Sequence, residues 1–175
     1  MNHKYVCIEC KREFEADFFK LKCEESDYSC FDVKYYESDA NFPVLPAPLD
    51  IKSLGEGGTP VVSFKDKLPD LGDFMFKLEY FSPTGSFKDR GTSLLLSKAK
   101  EEGIKEFVED SSGNAGASMS AYAKNLGMNC HIFVPEQTPL NKKNQIKIFG
   151  AELHDIEGPR QNSTIAAKEF CAKTG

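Results

Sequence analysis

Short apolar runs alternate with helical patterns along the second half of this chain of 175 residues. The runs at 106–109, 130–134 and 153–156 are predicted strands, and glycines end the helices between them. Repeated strand–helix units imply a parallel sheet with helices on both faces. We therefore predict an α/β fold in which ligands gather at the carboxyl ends of the strands.

Proline and glycine punctuate the rest of the chain and define its expected organisation. A zinc-ribbon-like segment is predicted at 1–40 and the main fold at 41–175, which begins with an extended linker at 42–48. Within the main fold, residues 93–160 are expected to form a smaller strand–helix domain. Strands are also predicted at 61–64 and 74–80, and helix starts at Pro139 and at Asn162–Ser163.

Lys88 stands where a turn meets the start of a helical pattern. The turn is Pro83-Thr84-Gly85-Ser86-Phe87, and the helical pattern continues through Leu96. An ammonium at a helix N-terminus faces the positive end of the helix dipole, which disfavours its charged form. A lysine kept partly neutral is a nucleophile suited to Schiff-base chemistry, so Lys88 is predicted to attach an aldehyde cofactor. The alternative is a lysine that is merely solvated.

A second motif, Ser111-Ser112-Gly113-Asn114-Ala115-Gly116, follows the strand predicted at 106–109 and opens a helix. Such a turn exposes backbone N–H groups at the helix N-terminus, which forms an anion site. Asn114 offers an amide that can donate to a phenolic or carboxylate oxygen. The alternative is an ordinary N-cap, with Ser or Asn closing the helix start. A Rossmann-type nucleotide site is disfavoured, because the glycine spacing lacks the Gly-x-Gly-x-x-Gly pattern.

Three segments in a fixed order indicate a family. Gly55-Glu56-Gly57-Gly58-Thr59-Pro60 comes first, the run from Glu79 to Gly91 that contains Lys88 comes next, and the motif at 111–116 follows. Over about residues 50 to 160, the chain resembles the pyridoxal-phosphate enzymes of the tryptophan-synthase-β (type II) fold. Within these it looks most like the threonine-synthase family.

The resemblance implies a role for each matching residue. Lys88 would hold pyridoxal 5′-phosphate covalently and serve as the proton-transfer base, Phe87 would line the cofactor pocket, and Asn114 would hydrogen-bond the phenolic oxygen. The residues implied in binding the substrate carboxylate are Ser112, Gly113 and Ala115. The implied reaction converts O-phosphohomoserine to threonine and phosphate, by γ-elimination and addition of water at the β carbon.

The chain departs from the family pattern in two places. Ser82 stands where the family usually has Asn before the Pro-Thr-Gly-Ser run. The Gly-rich phosphate loop that the family has later in the chain has no counterpart between Asn114 and Gly175, so we interpret the sequence as an N-terminal portion of the enzyme. The alternatives are a cysteate synthase, a threonine dehydratase, or a non-catalytic fragment that keeps the fold but cannot hold the cofactor.

Four cysteines lie in the predicted ribbon segment: Cys7, Cys10, Cys23 and Cys30. Tetrahedral zinc takes four such ligands, and Cys7-Ile8-Glu9-Cys10 is an intact knuckle. Ser26 occupies the place of the next knuckle's second thiol, so Cys30 or His3 would supply the fourth ligand. Members of the threonine-synthase family with a ribbon ahead of the catalytic core resemble this arrangement, which makes zinc a candidate metal. The alternative is a ribbon-shaped relic that has lost its metal.

The chain has a formal net charge of −5 and is 40% hydrophobic. These values are typical of a soluble cytoplasmic enzyme and argue against nucleic-acid or anionic-membrane partners. Neither a secretion signal nor a membrane span is indicated. The expected partners are a small amino-acid substrate and either a second copy, as a homodimer, or the missing C-terminal part of the enzyme. Lys142-Lys143-Asn144 is interpreted as a solvated helix face.

Overall fold

The computed structural model describes residues 3–17, 20, 22–26, 30–35, 50–64, 70, 72 and 74–174. The chain divides into two compact units, Met1–Asp50 and Ile51–Gly175. The predicted linker at 42–48 and the predicted boundary at residue 40 lie outside the described residues. The smaller domain at 93–160 stays a prediction.

The first unit contains a three-stranded antiparallel sheet. Its strands are β1 (His3–Cys7), β2 (Glu13–Glu15) and β3 (Phe31–Tyr35), in the order β2-β1-β3. Tyr5 pairs with Phe14 on one side and with Val33 on the other. Its ring stacks on Phe31 with centroids 5.5 Å apart, and Phe14 packs edge-on against the same ring. Aromatic side chains therefore hold the three strands together.

The second unit begins with an antiparallel pair and continues as a parallel sheet. The pair consists of β4 (Val61–Ser63) and β5 (Met75–Lys77). β5 is shorter than the strand predicted at 74–80, because the chain forms a 3-10 turn at Glu79–Phe81. The parallel strands are β6 (Glu106–Glu109), β7 (Asn129–Pro135) and β8 (Glu152–Ile156), in the order β6-β7-β8. The helices are α1 (Lys88–Glu101), α2 (Asn114–Leu126), α3 (Leu140–Ile148) and α4 (Arg160–Thr174).

Helices cover both faces of the parallel sheet. Consecutive residues of a strand point to opposite faces, and β7 makes contacts on both. A Cβ atom at Gly116 of α2 would lie 3.5 Å from Ile132 Cγ2, whereas the rings of His131 and Phe133 pack against Phe170 of α4. α2 also contacts α3, so these two helices share a face. The predicted α/β fold is confirmed.

The core of the second unit lies between this sheet and its helices. The largest fully buried apolar side chains come from α1, α2, α3 and β7: Leu96, Tyr122, Ile146, Ile132 and Val134. Full burial of such a side chain contributes about 1.5–3 kcal/mol. This packing fixes α1 and α2 side by side, with the start of α2 at the carboxyl end of β6. Among the described residues, no helix is both long and apolar enough to cross a bilayer.

Two helix starts differ from the prediction. α4 begins at Arg160 and not at Asn162–Ser163. The reason is a turn at Pro159, whose carbonyl accepts from the Asn162 N–H at 2.9 Å while the Asn162 side chain donates back to the Glu157 carbonyl. Pro139 is the N-cap of α3 rather than its first helical residue.

The prediction of a solvated helix face at 142–144 is wrong for Lys143. This side chain is buried, pairs with Asp155 at 2.7 Å and donates to the Glu136 carbonyl at 2.7 Å. A buried ammonium requires such partners because it loses its hydration. The lysine therefore connects α3 to β8 instead of facing water.

Candidate active site

The turn before α1 presents Lys88 at the protein surface. Gly85 adopts a left-handed conformation with φ 80°, and its N–H donates to the Ser82 carbonyl at 2.8 Å. The N–H of Lys88 then donates to Ser86 Oγ at 3.2 Å as α1 begins. Lys88 is exposed, and its Nζ lies 5.0 Å from the centre of the Phe87 ring, which is also exposed. The predicted cofactor lysine thus has an accessible amine on an ordered turn.

A buried carboxylate next to Lys88 holds this turn in place. Asp89 is fully buried, and its Oδ2 accepts from the N–H of Thr84 at 2.7 Å. Its Oδ1 accepts from the hydroxyls of Thr84 and Ser118 at 2.5 and 2.6 Å. Hydrogen bonds to a charged group contribute about 1.5–3 kcal/mol each. Because Ser118 belongs to α2, Asp89 links the Lys88 turn at the start of α1 to α2.

Arg90 connects α1 to the glycine-rich segment at 55–60. Its guanidinium donates to both carboxylate oxygens of Glu79 at 2.9 Å and to Thr59 Oγ1 at 2.9 Å. Hydrogen bonds from Arg90 and Thr59 lower the pKa of Glu79 to about 2. A bidentate pair of this kind sets orientation as well as charge, so the segment keeps a defined position beside α1.

Glu56 connects the same segment to α2. Its Oε2 accepts from the Tyr122 hydroxyl at 2.5 Å and from Ser53 Oγ at 2.9 Å. Burial by itself would raise the pKa of Glu56, but hydrogen bonds from Tyr122, Ser93 and Ser53 lower it to about 2. The three glycines of the segment have φ between 55° and 95°, a conformation that other residues rarely adopt. The segment is therefore a tightly turned support for both helices.

The turn between β6 and α2 opens the helix without a capping side chain. Gly113 is the N-cap and has no side chain that could cap the helix, so the alternative of a Ser or Asn N-cap is wrong. The Gly113 N–H itself donates to Ser111 Oγ at 3.4 Å. Gly116 has no room for a side chain, because a Cβ there would lie 2.1 Å from the Ser111 carbonyl oxygen. N–H groups at such a helix start suit an anion like a carboxylate. The three residues predicted to bind the substrate carboxylate are half-buried in this turn: Ser112, Gly113 and Ala115.

α3 contacts both motifs through side chains that were not predicted to do so. Lys142 Nζ donates to Asn114 Oδ1 at 3.3 Å, and Gln145 Nε2 donates to the Thr84 carbonyl at 3.2 Å. With its oxygen held by Lys142, the amide nitrogen of Asn114 is the atom that can donate to a cofactor oxygen. The first contact joins residues that are 28 positions apart in the sequence, and the second joins residues that are 61 positions apart. No local sequence pattern could therefore predict them.

Charged side chains collect where β6 ends. Thr164 and Arg160 donate to Asp110 Oδ2, which lowers the pKa of that carboxyl. Burial, and then the charge of Asp110, raise the pKa of Glu109, while the charges of Arg160 and Lys88 oppose that rise. Lys88 is therefore within electrostatic reach of the carboxyl end of β6. A carboxyl with a raised pKa beside a candidate base is a common feature of active sites.

The first unit brings together three of the four predicted metal ligands. The Sγ atoms of Cys7, Cys10 and Cys23 lie within 4.8 Å of one another, and we call them the cysteine group. The N–H of Cys10 donates to Cys7 Sγ at 3.3 Å. Cys30 is exposed and is not part of the group, whereas Ser26 Oγ lies 3.6 Å from Cys7 Sγ. The side chain of His3 lies outside the described residues.

Residues 82–90 and 109–116 together form what we call the carboxyl edge of the parallel sheet. It combines an exposed amine at Lys88, the amide of Asn114 and a helix start with no capping side chain at Gly113. Ser82 Oγ is buried there and has no hydrogen-bond partner among the described residues. These groups fit an aldehyde cofactor bearing oxygen substituents and an amino-acid carboxylate. They match pyridoxal-phosphate chemistry.

Comparison with known proteins assigns the family. Residues 52–175 match the family model described as pyridoxal-phosphate dependent enzyme, and the chain belongs to this family. It is 41% identical to a threonine synthase of Bacillus sp. (strain ULM1) over 69% of this chain. It is 31% identical to a threonine synthase of Methanocaldococcus jannaschii over 94% of this chain. The solved structure of maize serine racemase superposes with a TM-score of 0.62 and 30% identity, over 67% of this chain and 36% of that chain.

These matches cover only part of each relative. The aligned regions account for 35% of the Bacillus protein and 46% of the Methanocaldococcus protein. The chain thus spans less than half the length of the curated relatives it matches. The resemblance to the threonine-synthase family is confirmed, while the roles of the individual site residues stay predictions.

Proposed function

We propose that this chain provides the lysine-bearing part of a pyridoxal-phosphate enzyme that converts O-phosphohomoserine to threonine and phosphate. The observation that carries the proposal is the hydrogen bond from the Ser118 hydroxyl to the Asp89 carboxylate. It joins the Lys88 turn to α2, whose start has no capping side chain. Similarity to threonine synthases supports the choice of substrate. The Gly-rich phosphate loop of the family would be supplied by residues outside this chain.

The residues of the carboxyl edge would each have a separate role in the proposed reaction. Lys88 would hold pyridoxal phosphate, with Phe87 against its ring and Asn114 at its phenolic oxygen. Bound pyridoxal phosphate supplies an electron sink that makes the α-hydrogen of an amino acid acidic. The residues that would bind and orient the substrate carboxylate are Ser112, Gly113 and Ala115. Once the amino group of the substrate has displaced Lys88 from the cofactor, its Nζ would be released as a free amine that can take the α-proton.

Reductive labelling tests the cofactor site directly. Incubation with pyridoxal phosphate, reduction with borohydride and peptide mapping should find the phosphopyridoxyl group on Lys88. Lys88→Ala should lose the label, whereas Lys100→Ala, which changes an exposed lysine of the same helix, should keep it. No adduct, or label scattered over surface lysines, would instead favour a non-catalytic fragment.

The substrate is tested separately, with the chain joined to the rest of the enzyme. Threonine formation and phosphate release from O-phosphohomoserine would support the proposal. Deamination of threonine in place of this reaction would indicate a threonine dehydratase. The predicted homodimer stays a prediction, which a mass measurement in solution would check.

For the first unit, we propose zinc binding by Cys7, Cys10 and Cys23 with Cys30 as the fourth ligand. Two observations support this proposal: the spacing of the three Sγ atoms, and the hydrogen bond that the Cys10 N–H donates to Cys7 Sγ. Zinc content per chain should fall in Cys30→Ser if Cys30 binds the ion. Unchanged zinc in that variant would exclude Cys30 as a ligand, and a zinc-free wild type would favour the metal-free relic.

A further inference from the structure

Four side chains from three strands meet at the other end of the parallel sheet, which we call the amino edge: Glu106 of β6, His131 of β7, and Glu152 and His154 of β8. His131 pairs with Glu152 across the two strands, and Phe133 pairs with His154. Residues paired across strands, and residues two apart on a strand, share a face of the sheet. The four side chains therefore gather on the face that α4 covers.

Three of these side chains place their ligand atoms at the spacing of a single metal site. His131 Nδ1 lies 3.1 Å from His154 Nε2. The carboxylate oxygens of Glu152 lie 3.6 Å from His131 Nδ1 and 3.6 Å from His154 Nε2. In a tetrahedral zinc site with ligand distances of 2.0–2.2 Å, neighbouring ligand atoms are about 3.3–3.6 Å apart. In the metal-free protein His154 Nε2 donates a hydrogen to His131 Nδ1 at 3.1 Å, so an ion would replace that hydrogen, and the side chains would need to move only slightly.

Glu106 and Phe133 orient the two imidazoles for this role. Glu106 Oε1 lies 2.5 Å from His131 Nε2, so that nitrogen donates a hydrogen and Nδ1 keeps its lone pair. A carboxylate bound to the other ring nitrogen is the usual companion of a metal-bound histidine. The ring of His154 stacks on Phe133 with centroids 4.3 Å apart and 10° between the planes. Both rings are thus held before any ion arrives.

We propose that His131 Nδ1, His154 Nε2 and the Glu152 carboxylate bind one divalent transition-metal ion of the zinc type. Two imidazoles and a carboxylate suit such ions, whereas calcium and magnesium take oxygen ligands. Water would fill the fourth position from an adjoining cavity of about 520 Å³, whose lining includes Glu106, His131 and Glu152. The site shares no residue with the cysteine group or with the carboxyl edge.

Titration of the full chain with cobalt(II) tests this site. Cobalt bound by nitrogen and oxygen gives visible bands without the intense charge-transfer band that thiolates add. Cobalt bound by the cysteine group can therefore be measured separately, by its charge-transfer band. The nitrogen–oxygen bands should saturate at one ion per chain. Glu106→Gln should weaken this binding by about 10–100-fold, and Glu152→Gln and His154→Gln should weaken it further. Glu157→Gln, which changes an exposed acid just beyond β8, should leave it unchanged.

Two results would overturn the proposal. One is a wild type that shows no nitrogen–oxygen bands at millimolar cobalt. The other is binding that Glu152→Gln leaves intact. Glu152 has a 65% exposed side chain, so its replacement is not expected to unfold the protein, and this variant decides the matter even if His154→Gln fails to fold.

Discussion

The carboxyl edge and the amino edge of the same sheet are assembled in different ways. At the carboxyl edge, the residues predicted to bind cofactor and substrate come from two short stretches, 82–90 and 109–116, each of which contains a turn that leads into a helix. At the amino edge, Glu106, His131 and Glu152 come from three separate strands and meet only through the strand register. The comparison teaches that a motif is visible in the sequence when a turn forms it, and hidden when strand pairing does.

The two edges also differ in burial. The carboxylate of Asp89 is fully buried with three donors around it, whereas the Glu152 side chain is mostly exposed. Hydrogen bonds to a buried carboxylate are costly to lose, while pairs of exposed charges contribute little. We therefore expect the carboxyl edge to support the fold and the amino edge to be adaptable.

The largest effect is expected from Asp89→Ala. Three donors on Thr84 and Ser118 would lose their buried acceptor, so the free energy of unfolding should fall by about 3–5 kcal/mol. Urea unfolding measures this loss. The control Asp70→Ala, at an exposed aspartate, should stay within about 0.5 kcal/mol of wild type. Similar stabilities for the two variants would show that the carboxyl edge does not depend on its buried acid.

Gly116→Ala should have the next largest effect. Its Cβ would lie 2.1 Å from the Ser111 carbonyl oxygen, so the backbone must shift, and we expect a loss of about 1–3 kcal/mol together with weaker labelling of Lys88. Gly113→Ala is the matched control, because no atom lies within 4 Å of its added Cβ. It should cost less than about 1 kcal/mol. Equal losses in the two variants would contradict the close approach at Gly116.

Acid should weaken the segment that supports the carboxyl edge. The pKa of Glu56 and that of Glu79 are lowered from 4.5 to about 2 in the folded protein. Their contribution to stability is therefore complete above about 4.5 and is lost as pH falls from 4.5 toward 2. The urea midpoint should fall across this window, and Glu56→Gln and Tyr122→Phe should flatten the fall. If neither variant changes the pH dependence of the urea midpoint, the loss of stability in acid does not come from the hydrogen-bonded carboxylate of Glu56.

The smallest effect is expected at the amino edge. In metal-free protein with chelator present, Glu106→Gln and Glu152→Gln should each change the free energy of unfolding by less than about 1 kcal/mol. Their side chains are 48% and 65% exposed, so solvent screens the pairs they form. The same urea measurement applies. A loss as large as that of Asp89→Ala would remove the contrast between the edges.

Much of the fold could be predicted because its signals are local. β6 lies at the predicted residues, 106–109, and α2 ends where Gly127 takes the left-handed conformation. The start of α4 was missed because Pro159 and the Asn162 side chain form a turn that a capping pattern does not reveal. Lys143 was misassigned because its partner Asp155 lies on another element. The error at Lys143 therefore arose from a contact between elements, whereas the error at α4 arose from a turn within a few residues.

The amino-acid sequence by itself determined the α/β class, the family and the two motifs of the carboxyl edge, because turns, glycines and apolar runs act over a few residues. Only the tertiary structure decided that Asp89 holds Ser118, that Lys142 holds Asn114, and that the amino edge unites its histidines and acids. Burial of Asp89 and the register of β6, β7 and β8 both arise from packing across the whole unit. Such packing has no counterpart in residue order alone.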